Sequence, residues 1–269
     1  MSAAPLCSVV MPLFNMAATV AEALDSCSDQ DVPGLEVLVV DDGSTDDSVC
    51  IAAAHPLRPT VIEIDHTGVP AAVRNVGILA AKGQYIQFLD ADDVIAPRKI
   101  ARQLNALAGL SADTVAYCDY AFFRDVDGHR AVERRGPVDR NYWPDDLAGQ
   151  FALYSVLHRF LFPRQTLLRN GLFDPGLTHA EDLDLWLRLV ISGVPFLYQP
   201  AQLALYREHV SHSLSSPTRE RSCRVVVARK LRGYLTAQGL YERYADVVDE
   251  IERRELQALK ALNDRSSVD

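Results

Sequence analysis

The chain has 269 residues, of which 48% are hydrophobic and 23% charged, so a sizeable core can be buried and extensive disorder is excluded. Its formal net charge of −9 argues against a general nucleic-acid-binding protein, which needs an excess of basic residues. Its five cysteines are scattered without a Cys-x-x-Cys pair, which is typical of reduced thiols in a cytosolic enzyme rather than of disulfides or a zinc site.

The first third of the chain alternates apolar runs with helical patterns. Strands and helices are predicted in turn at 8–14, 16–30, 35–40, 45–54, 60–64, 71–81 and 85–89. This alternation indicates an α/β fold with a mostly parallel sheet and helices on both faces. Ligands bind such sheets beyond the carboxyl ends of the strands, and Phe14-Asn15, Asp41-Asp42 and Asp90-Ala91-Asp92 each follow a predicted strand. We therefore expect these three segments to form one site.

The remainder of the chain is less regular. The pattern predicts a helix at 97–110, a strand at 114–117, a helix at 181–191 and two strands at 195–198 and 203–206. Residues 124–144 are charged and rich in turn formers, which predicts a flexible loop over the site. From residue 217 onward the pattern is helical throughout.

The N-terminal residues have neither a basic stretch nor a long apolar run, so we expect no signal peptide. No stretch reaches about 18 consecutive apolar residues, so no transmembrane helix is expected either. These features favour a cytoplasmic protein, with any membrane contact made from the cytoplasmic side.

The carboxylates of Asp90-Ala91-Asp92 follow an apolar strand, where they can hold a hard cation. Mg²⁺ and Mn²⁺ typically take one or two carboxylates and complete their coordination with waters and substrate phosphates. Asp-x-Asp also occurs by chance in solvated turns, so the motif alone does not distinguish a metal site from a turn. Asp42 is equally ambiguous, because it suits a turn and could also accept the ring N–H of a uracil.

Three further groups have both a structural and a functional interpretation. Arg74 is either a solvated charge on a helix or a clamp for a diphosphate. Glu181 and Asp182 begin a helix, where acidic residues complement the helix dipole, but Asp182 could also act as a general base. His209 is either an ordinary loop residue or a ligand for metal or phosphate.

Taken in order, these segments resemble glycosyltransferase family 2, whose members have the GT-A fold. The resemblance covers about residues 6–215 and is densest before Asp93. The matching segments are 8–15, 36–46, 74–77, 83–93 and 181–185. Two departures are Phe14, where the family often has Tyr, and Arg207/His209, which match the family's Arg-x-His pattern only loosely.

The resemblance implies a role for each matching residue. Pro12, Phe14 and Asn15 would line the nucleoside pocket, Asp42 would contact the base, and Arg74, Asp90 and Ala91 would lie at the diphosphate. Asp90, Asp92 and His209 would surround the metal, with Asp92 the direct ligand. Asp182 would be the catalytic base, and Glu181 and Arg207 would orient groups or contact the acceptor.

The resemblance also implies the activity and the domain layout. Residues 1–216 would be a GT-A catalytic domain, with a Rossmann-like nucleotide-sugar half at 6–93 and an acceptor half at 94–216, and residues 217–269 a helical extension. The enzyme would use Mn²⁺ or Mg²⁺ to move a sugar, with inversion, from a nucleoside diphosphate sugar, UDP-sugars being favoured. The acceptor would be a hydroxyl of a carbohydrate, a lipid-linked molecule or another glycoconjugate.

Six basic residues cluster in the extension of this otherwise acidic chain, namely Arg219, Arg221, Arg224, Arg229, Lys230 and Arg232. A solvated helix face packed through its apolar stripe explains them, and the alternatives are a lipid-surface contact or a homodimer interface.

Three other functions compete with glycosyl transfer. A nucleotidyltransferase would carry a Gly-rich basic loop near the first strand, which this chain lacks. A hydrolase with paired carboxylates leaves the nucleotide-site pattern unexplained. A scaffold with a degenerate transferase fold need not have kept the carboxylates.

Overall fold

The computed structural model describes residues 5–126, 129–135, 156–208 and 217–266. The strands are β1 (Cys7–Leu13), β2 (Glu36–Asp41), β3 (Thr60–Glu63), β4 (Tyr85–Phe88), β5 (Val94–Ile95), β6 (Val115–Val126), β7 (His129–Arg135), β8 (Phe160–Pro163) and β9 (Phe196–Arg207). The helices are α1 (Val20–Ser28), α2 (Ser48–Ala54), α3 (Pro70–Ala80), α4 (Lys99–Leu107), α5 (Arg164–Arg169), α6 (Glu181–Ile191), α7 (Pro217–Ala237) and α8 (Tyr241–Ser266).

The first half forms the predicted parallel sheet. Its strands lie in the order β3-β2-β1-β4, and each neighbouring pair is parallel. Helix α3 packs closely on β1 because Gly77 has no side chain, and a Cβ there would lie 2.3 Å from Cγ1 of Val10. The carboxyl ends of β1, β2 and β4 therefore meet at one edge, as the alternation of strands and helices predicts.

The second half extends this sheet with mixed pairing. The order continues β4-β8-β6-β9-β5, with β7 beside β6. Pairs β4–β8, β8–β6, β6–β7 and β9–β5 are antiparallel, whereas β6–β9 is parallel. The α/β class predicted from the sequence is confirmed, and the parallel pairing is concentrated in the N-terminal half.

Two sequence predictions in this half are wrong. Residues 124–126 and 129–135 form the β6–β7 hairpin rather than a flexible loop, because their backbones pair in register, for example Arg124 with Ala131. Residues 127–128 and 136–144 of that predicted loop lie outside the described residues. The two strands predicted at 195–198 and 203–206 are one strand, β9, whose pairing with β6 shifts register beside Asp119. Pro200 interrupts the apolar pattern there, and the strand bulges instead of ending.

The predicted helical extension is present as a hairpin of α7 and α8 that packs on α6. Apolar side chains from the three helices share one buried cluster, which includes Leu187, Val227, Leu231, Val248 and Ile251. In the described part of the chain, no helix is both long enough and apolar enough to span a bilayer.

Most of the basic residues of α7 face acidic residues of α8. Arg221 and Arg224 pair with Glu255, Arg229 pairs with Glu252, and Arg232 pairs with Asp249. The apolar stripe thus faces α6 and the basic side chains are largely neutralised within the hairpin.

Lys230 instead joins the hairpin to α6 and to the segment before it. Its Nζ lies 2.5 Å from Oδ2 of Asp174 and 2.6 Å from Oδ1 of Asp184, which is completely buried on α6. The hydroxyl of Tyr234 donates to Asp184 at 2.7 Å, and Nε of Arg188 donates to it at 3.0 Å. A buried carboxylate is tolerated here because several donors compensate it.

We predict that Asp184→Ala destabilises the protein by about 3 kcal/mol, because it leaves the Lys230 and Arg188 cations with one acceptor fewer in a buried setting. Chemical denaturation of the two proteins measures this difference. The matched control is Asp249→Ala, which removes an exposed partner of Arg232 and should leave the free energy of unfolding nearly unchanged. Equal losses for the two variants would contradict the anchoring role of Asp184.

Candidate functional site

A cavity of about 120 Å³ lies beyond the carboxyl end of β4. Its lining residues are Arg74, Asp90, Asp93, Val156, Leu157, His158, Glu181, Asp182 and Tyr206. The fold therefore brings together four residues that the sequence singled out from three distant segments, namely Arg74, Asp90, Glu181 and Asp182. The cavity also contains residues that the sequence did not single out, above all His158 and Tyr206.

Arg74 is the central cation of this cavity. It is 6% exposed, which excludes the solvated surface charge considered from the sequence. One guanidinium nitrogen donates to Oε1 of Glu181 at 2.5 Å and another to Oδ1 of Asp90 at 2.8 Å. Burial alone would lower the pKa of Arg74, but Asp90 and Glu181 outweigh it and raise that pKa further. Arg74 therefore stays charged and ties the end of β4 to the start of α6.

Asp182 is a partly exposed carboxylate in the first turn of α6. Its Oδ1 accepts the backbone N–H of Leu183 at 2.7 Å. Burial and then the negative charge of Glu181 raise the pKa of Asp182 to about 7, although Arg74 opposes this. A carboxylate with a pKa near neutrality is suited to taking up a proton at physiological pH.

Asp93 and His158 form a buried pair on another wall of the cavity. Nδ1 of His158 lies 3.0 Å from Oδ2 of Asp93, and both side chains are 2% exposed. Oδ1 of Asp93 accepts the backbone N–H of Arg207 at 2.8 Å. Burial raises the pKa of Asp93 to about 6, and the nearby His158 opposes that rise.

Sequence reasoning missed His158 for a physical reason. It belongs to a single helical turn before β8, Leu157–Arg159, and no fixed spacing connects it to the acidic motifs. Its partner Asp93 was visible only as the last residue of an acidic run. A single histidine beside apolar residues gives no sequence signal. Its role becomes visible only because the sheet brings His158 next to Asp93.

The residues predicted to hold a metal lie at the same strand end. Asp90 and Asp92 are partly exposed, and Arg74 engages one oxygen of Asp90. Over the described ranges, no group of three or more Asp, Glu, His or Cys side chains is arranged to hold a metal by itself. Oxygen donors from one or two carboxylates still fit Mg²⁺ or Mn²⁺ where substrate phosphates complete the shell. His209, the third predicted ligand, lies outside the described residues.

Arg207 contacts the backbone at this strand end. Its Nε donates to the carbonyl oxygen of Asp92 at 2.7 Å, and its other guanidinium nitrogens contact Asp125 and Glu22. The side chain is 5% exposed and lies over the ring of Phe123. These contacts fix the backbone that carries Asp92.

The loops after β1 and β2 form the next part of the edge. The ring of Phe14 is 38% exposed and stacks on His66 with a 4.5 Å centroid separation. Oδ1 of Asn15 accepts the N–H of Thr45 at 2.8 Å, which joins the two loops. Pro12 lies within β1 opposite Val40.

Two predicted nucleotide-binding residues have structural partners. Both carboxylate oxygens of Asp42 accept hydrogen bonds from the loop after β3, from N–H of Thr67 at 2.7 Å and N–H of Gly68 at 2.9 Å. Asp42 thus shapes the loop that carries His66. The side chain of Ala91 is 2% exposed and packs in the core, so any contact it makes with a ligand would come from its backbone.

Comparison with known protein families shows to which family the chain belongs. The model of the family described as Glycosyl transferase family 2 matches residues 8–172, which is more than half of the chain. The chain belongs to glycosyltransferase family 2. The matched region includes every segment of the site before α6.

Relatives within the family are distant. An uncharacterized glycosyltransferase of Rickettsia prowazekii is 32% identical over 200 residues, covering 71% of this chain and 61% of the relative. The chain thus spans less than two thirds of that relative's length. An Escherichia coli protein, named as a candidate glycosyl transferase of colanic acid biosynthesis, is 28% identical and covers 79% of this chain and 76% of its own length.

Solved structures show the GT-A fold. Staphylococcus aureus TarS 1-349 in complex with UDP-GlcNAc has a TM-score of 0.71, with 21% identity over 94% of this chain and 72% of that one. The mannosyltransferase PcManGT from Pyrobaculum calidifontis, in complex with GDP-Man and Mn²⁺, has a TM-score of 0.63, with 21% identity over 97% and 75% of the two chains.

We predict that Glu181→Gln lowers the pKa of Asp182 below 7, because the negative charge next to it opposes ionisation and is then removed. A carboxyl ¹³C NMR titration measures this value, with Asp182→Asn used to assign the signal. Glu250→Gln changes an exposed acid on α8 and should leave the titration unchanged. An unchanged or higher pKa in Glu181→Gln would show that Glu181 does not act on Asp182.

Proposed function

We propose that the protein transfers a sugar from a nucleoside diphosphate sugar, with UDP-sugars favoured, to a hydroxyl acceptor with inversion at the anomeric carbon. The observation that carries this proposal is the shared cavity. It places Asp182, a carboxylate with a pKa of about 7, beside the Arg74–Asp90 pair at the end of β4. A proton acceptor next to a group that suits phosphate is what glycosyl transfer from a diphosphate requires.

The Arg74 side of the cavity would hold the diphosphate. Arg74 remains charged, and its buried Nε has no hydrogen-bond partner among the described residues, so one donor is uncommitted. A divalent cation, Mn²⁺ or Mg²⁺, would be held by Asp92 and Asp90 and would neutralise charge on the departing diphosphate. Arg207 would keep the Asp92 backbone in place for this role.

Asp182 would act on the acceptor. It would take the proton from the acceptor hydroxyl as that oxygen attacks C1 of the sugar, and the C1–O bond to the diphosphate would break. Attack from the face opposite the leaving group inverts the anomeric carbon. Glu181, held by Arg74, would keep the pKa of Asp182 near neutral pH through its negative charge.

The nucleoside would lie at the adjoining edge. The partly exposed Phe14 stacked on His66 offers an aromatic face for a base, and Asp42 and Asn15 shape the loops around it. Donor complexes of distant GT-A structures support this class of ligand: TarS holds UDP-GlcNAc, and PcManGT holds GDP-Man with Mn²⁺.

The acceptor would be a hydroxyl of a carbohydrate, a lipid-linked sugar or another glycoconjugate, used at the cytoplasmic side. The relative named for colanic acid biosynthesis supports a polysaccharide pathway. A peripheral membrane contact or a homodimer through α7 and α8 stays a prediction, and the ion pairs within that hairpin weaken the case for lipid contact.

A panel of UDP-, GDP- and dTDP-sugars tests the proposed function directly. We expect slow hydrolysis of at least one donor without acceptor, and loss of that activity when EDTA removes the divalent cation. Asp92→Asn should reduce activity and raise the metal concentration needed for half-maximal rate. Absence of both turnover and nucleotide binding with every donor would favour the scaffold alternative.

We further expect kcat/KM to rise with pH through about 7 and then level off, because a base must be deprotonated to accept a proton. Asp182→Asn should lower kcat by at least about 100-fold, the usual contribution of a general base. Nucleotide binding, measured by calorimetry, should remain nearly unchanged in this variant. Equal losses of binding and transfer would refute the assignment of Asp182.

A further inference from the structure

His158 has a polar atom that the proposed chemistry does not use. The side chain is 2% exposed and lines the same cavity as Asp182. Its Nδ1 faces the Asp93 carboxylate at 3.0 Å, whereas its buried Nε2 has no hydrogen-bond partner within the described residues. A buried polar atom without a partner costs free energy, so such atoms usually have a ligand or water to bind.

Asp93 determines what Nε2 can do. In the neutral imidazole ring, a carboxylate facing Nδ1 favours the tautomer with its proton on that nitrogen, which leaves Nε2 as a hydrogen-bond acceptor. Asp93 is itself held in place, since its other oxygen accepts the N–H of Arg207. The ring stacks with Tyr206 at a 6.4 Å centroid separation. The acceptor atom is thus positioned in advance by its surroundings.

The position of the cavity indicates which part of a substrate reaches Nε2. At about 120 Å³ the cavity is smaller than the roughly 300–1,000 Å³ of common small-molecule sites, so it accommodates only part of a nucleotide sugar. Its lining contains Arg74 and Asp90, which are proposed above to lie at the diphosphate, and Asp182, which is proposed to act on the acceptor. The group transferred between those two sides is the sugar.

We infer that His158, oriented by Asp93, binds a hydroxyl group of the donor's sugar through Nε2 and thereby contributes to sugar selectivity. This inference rests on the proposed function and assigns part of that site. The sugar O–H donates the hydrogen bond and Nε2 accepts it. A site built to bind a hydroxyl discriminates strongly against an analogue that lacks it.

Two substitutions separate the two ring nitrogens. His158→Asn places an amide N–H near the position of Nδ1 and can still donate to Asp93, but it lacks an acceptor at the position of Nε2. His158→Gln reaches the position of Nε2 with its amide oxygen and can restore acceptance. His55→Asn is the matched control, because His55 is also buried and lies 3.1 Å from an aspartate, Asp25, but does not line the cavity.

Isothermal titration in the presence of Mn²⁺ measures binding of UDP, UDP-glucose, UDP-galactose, UDP-GlcNAc, GDP and GDP-mannose. In His158→Asn we expect the dissociation constant of the best-bound nucleotide sugar to rise about tenfold, the effect of losing one buried hydrogen bond. The dissociation constant of the free nucleotide should change less than about twofold. His158→Gln should recover part of the loss, and His55→Asn should resemble the unsubstituted protein.

Deoxy analogues of the best-bound donor test the contact without depending on a variant's folding. The unsubstituted protein should bind one deoxy sugar about tenfold more weakly, and His158→Asn should cause no additional loss with that analogue. Equal affinity for every deoxy analogue, or an unchanged ratio of sugar-nucleotide to nucleotide affinity in His158→Asn, would overturn the assignment of His158. If the unsubstituted protein binds none of the probes, the proposed function itself fails.

Discussion

Arg74 connects parts of the chain that no local pattern connects. It lies on α3 and forms ion pairs with Asp90 after β4 and with Glu181 at the start of α6, 107 positions further along the chain. A buried guanidinium is tolerated only with good compensation, so these two carboxylates determine where the end of β4 and the start of α6 must lie. Asp182 faces the cavity because Glu181, its neighbour, is held in this way.

The charge balance around Arg74 explains the chemistry of the cavity. One guanidinium faces three acidic side chains, those of Asp90, Glu181 and Asp182, so its positive charge does not compensate all of them. Burial and then the uncompensated charge of Glu181 raise the pKa of Asp182, and burial raises that of Asp93. Such a cavity favours a bound cation, and its Asp93 and Asp182 carboxyl groups keep a proton to a higher pH than they would in water. Both properties suit a site that handles a metal diphosphate and accepts a proton.

The sequence predicted those features that repeat along the chain. Helix α6 has the predicted bounds 181–191, and the polar segments after β1, β2 and β4 lie at one edge as expected. Features that depend on distant contacts were not predictable. From the sequence, Arg74 cannot be distinguished from a surface residue until its acidic partners are known. A role for His158 can be inferred only once its contact with Asp93 is seen. Similarly, Pro200 resembles a strand end in the sequence, because the bulge in β9 that accommodates it is visible only from the pairing of β9 with β6.

The cluster of basic residues in the C-terminal extension can be misinterpreted when its ion-pair partners are not known. Six basic residues in one segment resemble a surface for lipid, yet Arg221, Arg224, Arg229 and Arg232 pair with acids of α8. Lys230 differs because it reaches Asp184 on α6, two residues after Asp182. The first turn of α6 is therefore fixed from both sides, by Arg74 through Glu181 and by Lys230 through Asp184. Since a general base must be placed within hydrogen-bonding reach of its substrate, this double anchoring gives the C-terminal hairpin a part in positioning the proposed catalytic residue.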